Sequence, residues 1–246
     1  MSVGFYESIS AWYDFIFPVD AQTVRFLAER ARPGTRVLDL ACGTGGHSLA
    51  LAEQGFQLLG VDLDEAMIRE AERKAHGALA AQFQVMDMLE IGRRLEPGFS
   101  LVFCIGNSIV HLEGEGRIAR VLAAAHGLLE KGGALVVQII HYDRILAEGI
   151  TALPTLRDEA RGLEFARYYD YDPAGRVVQF RTVLTVREGG GVRRIENSVP
   201  LWILRREALE RLCRQAGFGS LDWFGGFDGR PLSPDSLPLI LAGRRT

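Results

Sequence analysis

Three aspartates and one glycine turn are the residues of this chain whose types and spacing could do chemistry. The stretch "RVLDLACGTGGHSLALAEQG" reads as a buried strand over Val37 to Leu40, a tight turn, then a helix from about Gly46. Leu49, Leu51 and Ala52 are the apolar positions of that helix. Such a turn opens backbone N–H groups toward a ligand, and Ala41, Gly43 and Gly46 fit a relaxed A-x-G-x-x-G fingerprint. That fingerprint alone is weak. Asp39, just before the turn, says more. Its carboxylate would repel a pyrophosphate by roughly 1–4 kcal/mol at about 4 Å, depending on dielectric, and would favour a ligand that is positive there. Asp62 lies about 20 residues beyond the turn, where an acid can take a ribose hydroxyl pair. Asp87 suits an exocyclic amine as acceptor. One such acid alone reads equally well as a helix cap or turn former; all three at successive strand ends do not. A nucleoside that carries an ammonium and a sulfonium meets all three demands, and S-adenosylmethionine is that ligand.

The elements that must position these residues alternate between strand and helix from residue 20 to residue 140. Asp20 to Arg32 has helical spacing and stops at Pro33-Gly34. After the glycine turn come "FQLLGVDLD" as strand two and a helix "EAMIREAERKAHG" capped by Asp64, with Met67, Ile68 and Ala71 inward. "AAQFQVMDM" and "FSLVFCIGN" follow as strands three and four. A helix over about Gly116 to Glu130 then leads to strand five, "ALVVQII". Near-continuous apolar strands are those of a parallel sheet covered on both faces. The expected fold is therefore α/β: a doubly wound, mostly parallel, seven-stranded Rossmann-like sheet. The rhythm changes at "GLEFARYYDYD", "RVVQFRTVLTVRE" and "VRRIENSVPLWIL", which alternate and are joined by turn residues. They predict a three-stranded antiparallel insert between strand five and the last helix, "RREALERLCRQAGF". The expected division is 1–19 as an N-terminal lid, 20–150 as the binding domain, 151–204 as the insert and 205–246 as the return to the sheet.

Composition narrows the class further. The 246 residues are 48% hydrophobic, enough for one sizeable core, and the formal charge of −3 provides no basic field for nucleic acid. Three cysteines without framework spacing read as thiols of a reducing, cytoplasmic setting, and no metal-ligand spacing occurs. The N-terminal stretch has no cation before Arg25 and does not read as a signal peptide. No nucleic-acid or membrane partner is expected; a homodimer is compatible with the insert, which would either cap the site or form a subunit seam.

The segments "VLDLACGTG", "GVDLDEAMI" and "FQVMDM" resemble, in order and spacing, the first three motifs of class I S-adenosylmethionine-dependent methyltransferases. One departure is Ala41, where the motif usually has its first glycine. The resemblance implies that Asp39, Ala41, Gly43 and Gly45 surround the methionine moiety, that Asp62 takes the ribose and that Leu63 flanks the adenine. It implies that Asp87 and Met88 hold the adenine edge and face, with Tyr13, Met67 and Cys104 completing the cofactor set. "GNSxxHL" after strand four and "HYDRIL" after strand five resemble glycine N-methyltransferase and its bacterial relatives, and the insert resembles that group and the sugar N,N-dimethyltransferases. In those enzymes an N-terminal aromatic segment folds over the cofactor, and a tyrosine matching Tyr6 lines the substrate site. An arginine that pairs with the amino-acid carboxylate there is replaced here by Ile140, which disfavours a free carboxylate unless another arginine, such as Arg144, reaches in.

The sequence thus predicts methyl transfer to a small molecule, at nitrogen. Asn107 would orient the acceptor through its side-chain carbonyl with Tyr6 assisting, and Ile140, His141 and Tyr142 would line the acceptor site. His111 and His141 are the candidate general bases for an alternative, oxygen methylation of a phenol or acid. A third reading is a cofactor-binding regulatory protein without turnover.

Overall fold

The computed structural model describes residues 7–75, 80–171, 175–189 and 191–246. A 3₁₀ turn over Glu7–Trp12 runs into α1 (Tyr13–Ile16) and then α2 (Ala21–Ala28). The central layer follows as β1 (Arg36–Leu40), α3 (Gly46–Ala52), β2 (Gln57–Asp62), α4 (Glu65–Ala75), β3 (Ala81–Val85), α5 (Ile91–Arg94) and β4 (Phe99–Cys104). It continues through α6 (Glu115–Leu128), β5 (Leu129–Ile140) and α7 (Tyr142–Ala147). Then come β6 (Ala152–Asp158), β7 (Leu163–Tyr171), β8 (Val177–Glu188) and β9 (Gly191–Trp202), followed by α8 (Arg206–Gln215), β10 (Phe218–Phe224) and β11 (Pro238–Arg245).

The seven-stranded sheet has the order β10-β11-β5-β4-β1-β2-β3, and β11 alone runs against its neighbours. β1 pairs in parallel with both β2 and β4, so strand order reverses beside β1. Open sheets of this kind bind ligands outside the strand ends at such a reversal. Successive residues of the inner strands point to opposite layers: Val37, Leu101 and Phe103 enter one core, Leu38, Val102 and Cys104 the other. That two-sided burial is why β1 and β4 read as apolar runs.

The insert is a four-stranded antiparallel sheet, β6-β7-β8-β9, one strand more than the three expected. The additional strand, β6, carries Pro154 and a register irregularity between Leu153 and Leu156. Proline removes a ladder donor and is tolerated because β6 is an edge. Its short, interrupted pattern hid it from a search for alternation. The inner face of this sheet (Phe165, Tyr169, Leu184, Val199, Leu201) joins the same core as Leu38 and Val102. Phe165 meets Phe17 edge-on at 5.8 Å between ring centroids, and β9 packs on the 3₁₀ turn Ser108–His111. The insert therefore covers the carboxyl end of β4. Among the described residues, no helix is long and apolar enough to cross a membrane.

Candidate active site

A cavity of about 370 Å³ opens at the strand reversal, over the carboxyl ends of β1, β2 and β4. Its floor is the turn between β1 and α3. Ala41 has φ 61° and Gly43 has φ 55°, both in the left-handed region. Glycine occupies that region freely, whereas Ala41 stays there at a cost of about 1–2 kcal/mol. The Gly43 N–H donates to Asp62 Oδ2 at 2.8 Å, and the Asp64 N–H donates to Asp62 Oδ1 at 2.9 Å. Both oxygens of Asp62 are thereby fixed, and each keeps a lone pair for a further donor.

Asp39 is buried, and its Oδ2 accepts from Ser48 Oγ at 2.7 Å. Burial pushes the Asp39 carboxyl up to about 7, against the lowering effect of the Ser48 hydroxyl and with a smaller upward push from Asp62. Burial likewise raises the Asp62 carboxyl. The wall carries Asp14, Asp20 and Asp64 as well, and among the described lining residues there is no lysine or arginine. Leu63, Met67 and Ile105 provide apolar surface.

The N-terminal segment is fixed over this turn. Thr44 Oγ1 donates to Asp14 Oδ1 at 2.5 Å, and Lys74 Nζ donates to Asp14 Oδ2 at 2.8 Å. A Cβ on Gly43 would fall 2.9 Å from the Tyr13 hydroxyl, so a side chain there would have to displace that ring. Asp14, Thr44 and Lys74 were not singled out from the sequence. They belong to separate segments, and only the fold brings them together.

The expected cofactor set divides. Tyr13, Asp39, Ala41, Gly43, Asp62, Leu63 and Met67 line the cavity. Gly45 does not: a Cβ there would fall 2.7 Å from the Phe83 ring, so it serves the packing of α3 on β3, and Gly46 lines the cavity instead. Asp87 caps the turn that follows it, its Oδ1 accepting from the Leu89 N–H at 2.9 Å. Met88 and Cys104 are buried in the core. None of these three lines the cavity.

The acceptor set is rearranged more strongly. Asn107 has φ 64°, and its Oδ1 accepts from the Ile140 N–H at 2.9 Å while its Nδ2 donates to the Tyr142 hydroxyl at 3.1 Å. The carbonyl expected to meet the acceptor ties the end of β4 to the end of β5. Tyr142 is buried, and burial raises its phenol well above the ordinary value. His141 is buried with Nδ1 3.2 Å from the Ser236 carbonyl, which makes that nitrogen the protonated one, and it lies outside the cavity lining. His111 does line the cavity, and burial lowers its imidazole to about 4. Arg144 donates to Glu148 and to the Asp235 carbonyl and is not a cavity-lining residue. Tyr6 lies outside the described residues. The sequence also passed over Gln138, whose Oε1 accepts from the Gly106 N–H at 2.7 Å and which lines the cavity together with Ser108.

This arrangement fits S-adenosylmethionine on the chemistry of its donors. A buried carboxylate and an acidic wall suit an ammonium and a sulfonium, the anchored Asp62 suits a ribose, and the volume is that of a small-cofactor site. A family model described as a methyltransferase domain matches residues 37–133. These residues and this match support an S-adenosylmethionine-dependent methyltransferase, its methyltransferase domain carried by residues 37–133.

Among its relatives is the glycine/sarcosine N-methyltransferase of Halorhodospira halochloris, 28% identical over 84% of this chain and 74% of that protein. The glycine/sarcosine/dimethylglycine N-methyltransferase of Actinopolyspora halophila is 28% identical over 80% of this chain; the match spans about a third (34%) of that longer protein. An S-adenosylmethionine-dependent methyltransferase from Clostridium acetobutylicum superposes with a TM-score of 0.82, covering 97% of this chain and 98% of that one at 19% identity. The sugar N-methyltransferase KedS8 from Streptoalloteichus has a TM-score of 0.74 at 25% identity, covering 98% of this chain and 92% of that one.

Proposed function

We propose that this methyltransferase acts on the nitrogen of a small-molecule amine. The observation that carries this reading is His111. It is the one expected base that lines the cavity, and burial holds it near 4, so it is neutral and weakly basic at neutral pH. A phenol or other weak acid needs a base matched to the working pH, and His111 is not one. An amine needs none once it is in its free-base form, because its lone pair is already the nucleophile. N-methylation is also what the names of the glycine/sarcosine and sugar enzymes record for those relatives.

When bound, the cofactor supplies an electrophilic methyl on a sulfonium whose thioether leaves without assistance. The chain's contribution is then positioning. Asp39 and Asp62 hold the cofactor, the Asn107–Ile140–Tyr142 hydrogen bonds fix the rim where the acceptor enters, and the insert excludes water from above. Holding nucleophile and methyl in line can supply several kcal/mol of the barrier. Tyr6, Ile140, His141 and Tyr142 are on this reading residues that shape the acceptor site, not proton carriers.

The test is the pH profile of turnover with two amines of different pKa. The rising limb should follow the amine, moving when the amine is changed, and should survive His111→Gln. A limb fixed near a histidine pKa for both amines, and lost in His111→Gln, would show base catalysis instead.

A further inference from the structure

The cofactor brings a carboxylate as well as an ammonium, and no cationic side chain among the described lining residues meets that carboxylate. Five aspartates line the cavity and, among the described lining residues, no lysine or arginine does. The one lysine close by, Lys74, is held by Asp14 at 2.8 Å. A carboxylate placed among carboxylates is repelled unless a donor meets it. Two imidazoles line the cavity, His47 and His111. His111 stands on the turn beyond β4, on the acceptor side. His47 stands in the first turn of α3, next to Ser48, whose hydroxyl holds Asp39. The ammonium and carboxylate of an amino acid share one carbon, so whatever receives the carboxylate must lie close to the group that receives the ammonium.

We propose that His47 is the positioning residue for the carboxylate of the cofactor's amino-acid end. The neighbouring side chains leave its ring to this task. Asp20, the charged group that acts on it, is already engaged: its Oδ1 accepts from the Gln22 N–H and its Oδ2 from the Thr23 N–H and the Thr23 hydroxyl. The His47 ring is half-buried and forms no hydrogen bond with a described residue. Burial lowers its pKa, so at neutral pH it presents an N–H donor without bringing a full charge into the site. The alternative is an imidazole that merely packs against Val19 and Asp20. This inference rests on the cofactor, not on the identity of the acceptor.

Two ligands separate the cases. S-adenosylhomocysteine carries the amino-acid end; 5′-methylthioadenosine has the same adenosine and thioether without it. Calorimetric titration of the full chain with both should give, for His47→Leu, a loss of about tenfold or more for S-adenosylhomocysteine and less than about twofold for methylthioadenosine. His47→Gln, which keeps an N–H donor, should recover part of the loss. Equal weakening of both ligands would assign His47 to packing, and an unchanged S-adenosylhomocysteine affinity would remove it from the site. Failure of the unmutated chain to bind either ligand would instead overturn the cofactor assignment.

Discussion

Asp39 carries the largest conflict between folding and function at a single residue. Its carboxyl is buried, held by one hydroxyl, and raised to about 7 from an ordinary value of about 3.9. A folded-state pKa above the unfolded one means the folded chain binds the extra proton between those values. Stability is then full below about pH 4 and falls as pH rises through about 7, by about 4 kcal/mol in all. The cofactor's positive charge reverses the preference, since it binds the ionised form. Asp39→Asn should therefore raise the melting temperature of the cofactor-free chain at pH 8 and abolish measurable binding of S-adenosylhomocysteine. A variant that melts lower and still binds would contradict this account. Asp39 and Asp62 were legible from the sequence because their position at a strand end is set locally. Asp87, expected at the adenine edge, shows the limit of that reading: an acid at a strand end can bind a ligand or cap the next turn, and the fold shows its Oδ1 capping.

At the scale of elements, the inner face of the insert sheet contains a polar pair that its packing does not satisfy. Arg167 on β7 is the register partner of Thr182 on β8. The Arg167 Nε and the Thr182 Oγ1 are buried side-chain atoms without a hydrogen-bond partner. Thr182 is 1% exposed, so its hydroxyl bears the full desolvation cost. Thr182→Val removes that hydroxyl at nearly constant shape and should stabilise the chain by about 1–2 kcal/mol, read as a shift in the urea midpoint at constant m. A lower midpoint would mean that the hydroxyl has a partner in solution. Parallel strands of the sheet were legible because burial on both faces makes them continuous apolar runs, as in "FSLVFC". β6 was not, because an edge strand broken by Pro154 has neither that run nor clean alternation. The helix after the glycine turn was placed correctly because Gly45 and Gly46 mark its start.

The whole molecule adds what no segment holds alone. α1 is clamped by Thr44 and Lys74, the turn beyond β4 is tied to β5 through Asn107, and the insert is packed on both through Phe165 and β9. Asp39 and Asp62 stand at strand ends that local pattern sets, so they could be read in advance, whereas Asp14 reaches the same cavity only through the fold. The far side of the cavity is lined from β5, the turn beyond β4 and the N-terminal segment, which lie far apart along the chain, and near it Asn107 and His141 make hydrogen bonds that no local pattern announces. The central claim is that this enclosure brings a small amine in line with the methyl group. It is tested most directly by measuring S-adenosylhomocysteine release from S-adenosylmethionine with a panel of glycine, sarcosine, amino sugars, aryl amines and phenols, with mass detection of the methylated product. The account predicts turnover of at least one amine, with the added methyl on nitrogen, and none of the phenols. Methylation confined to phenol oxygen, or tight cofactor binding without turnover of any acceptor, would contradict it.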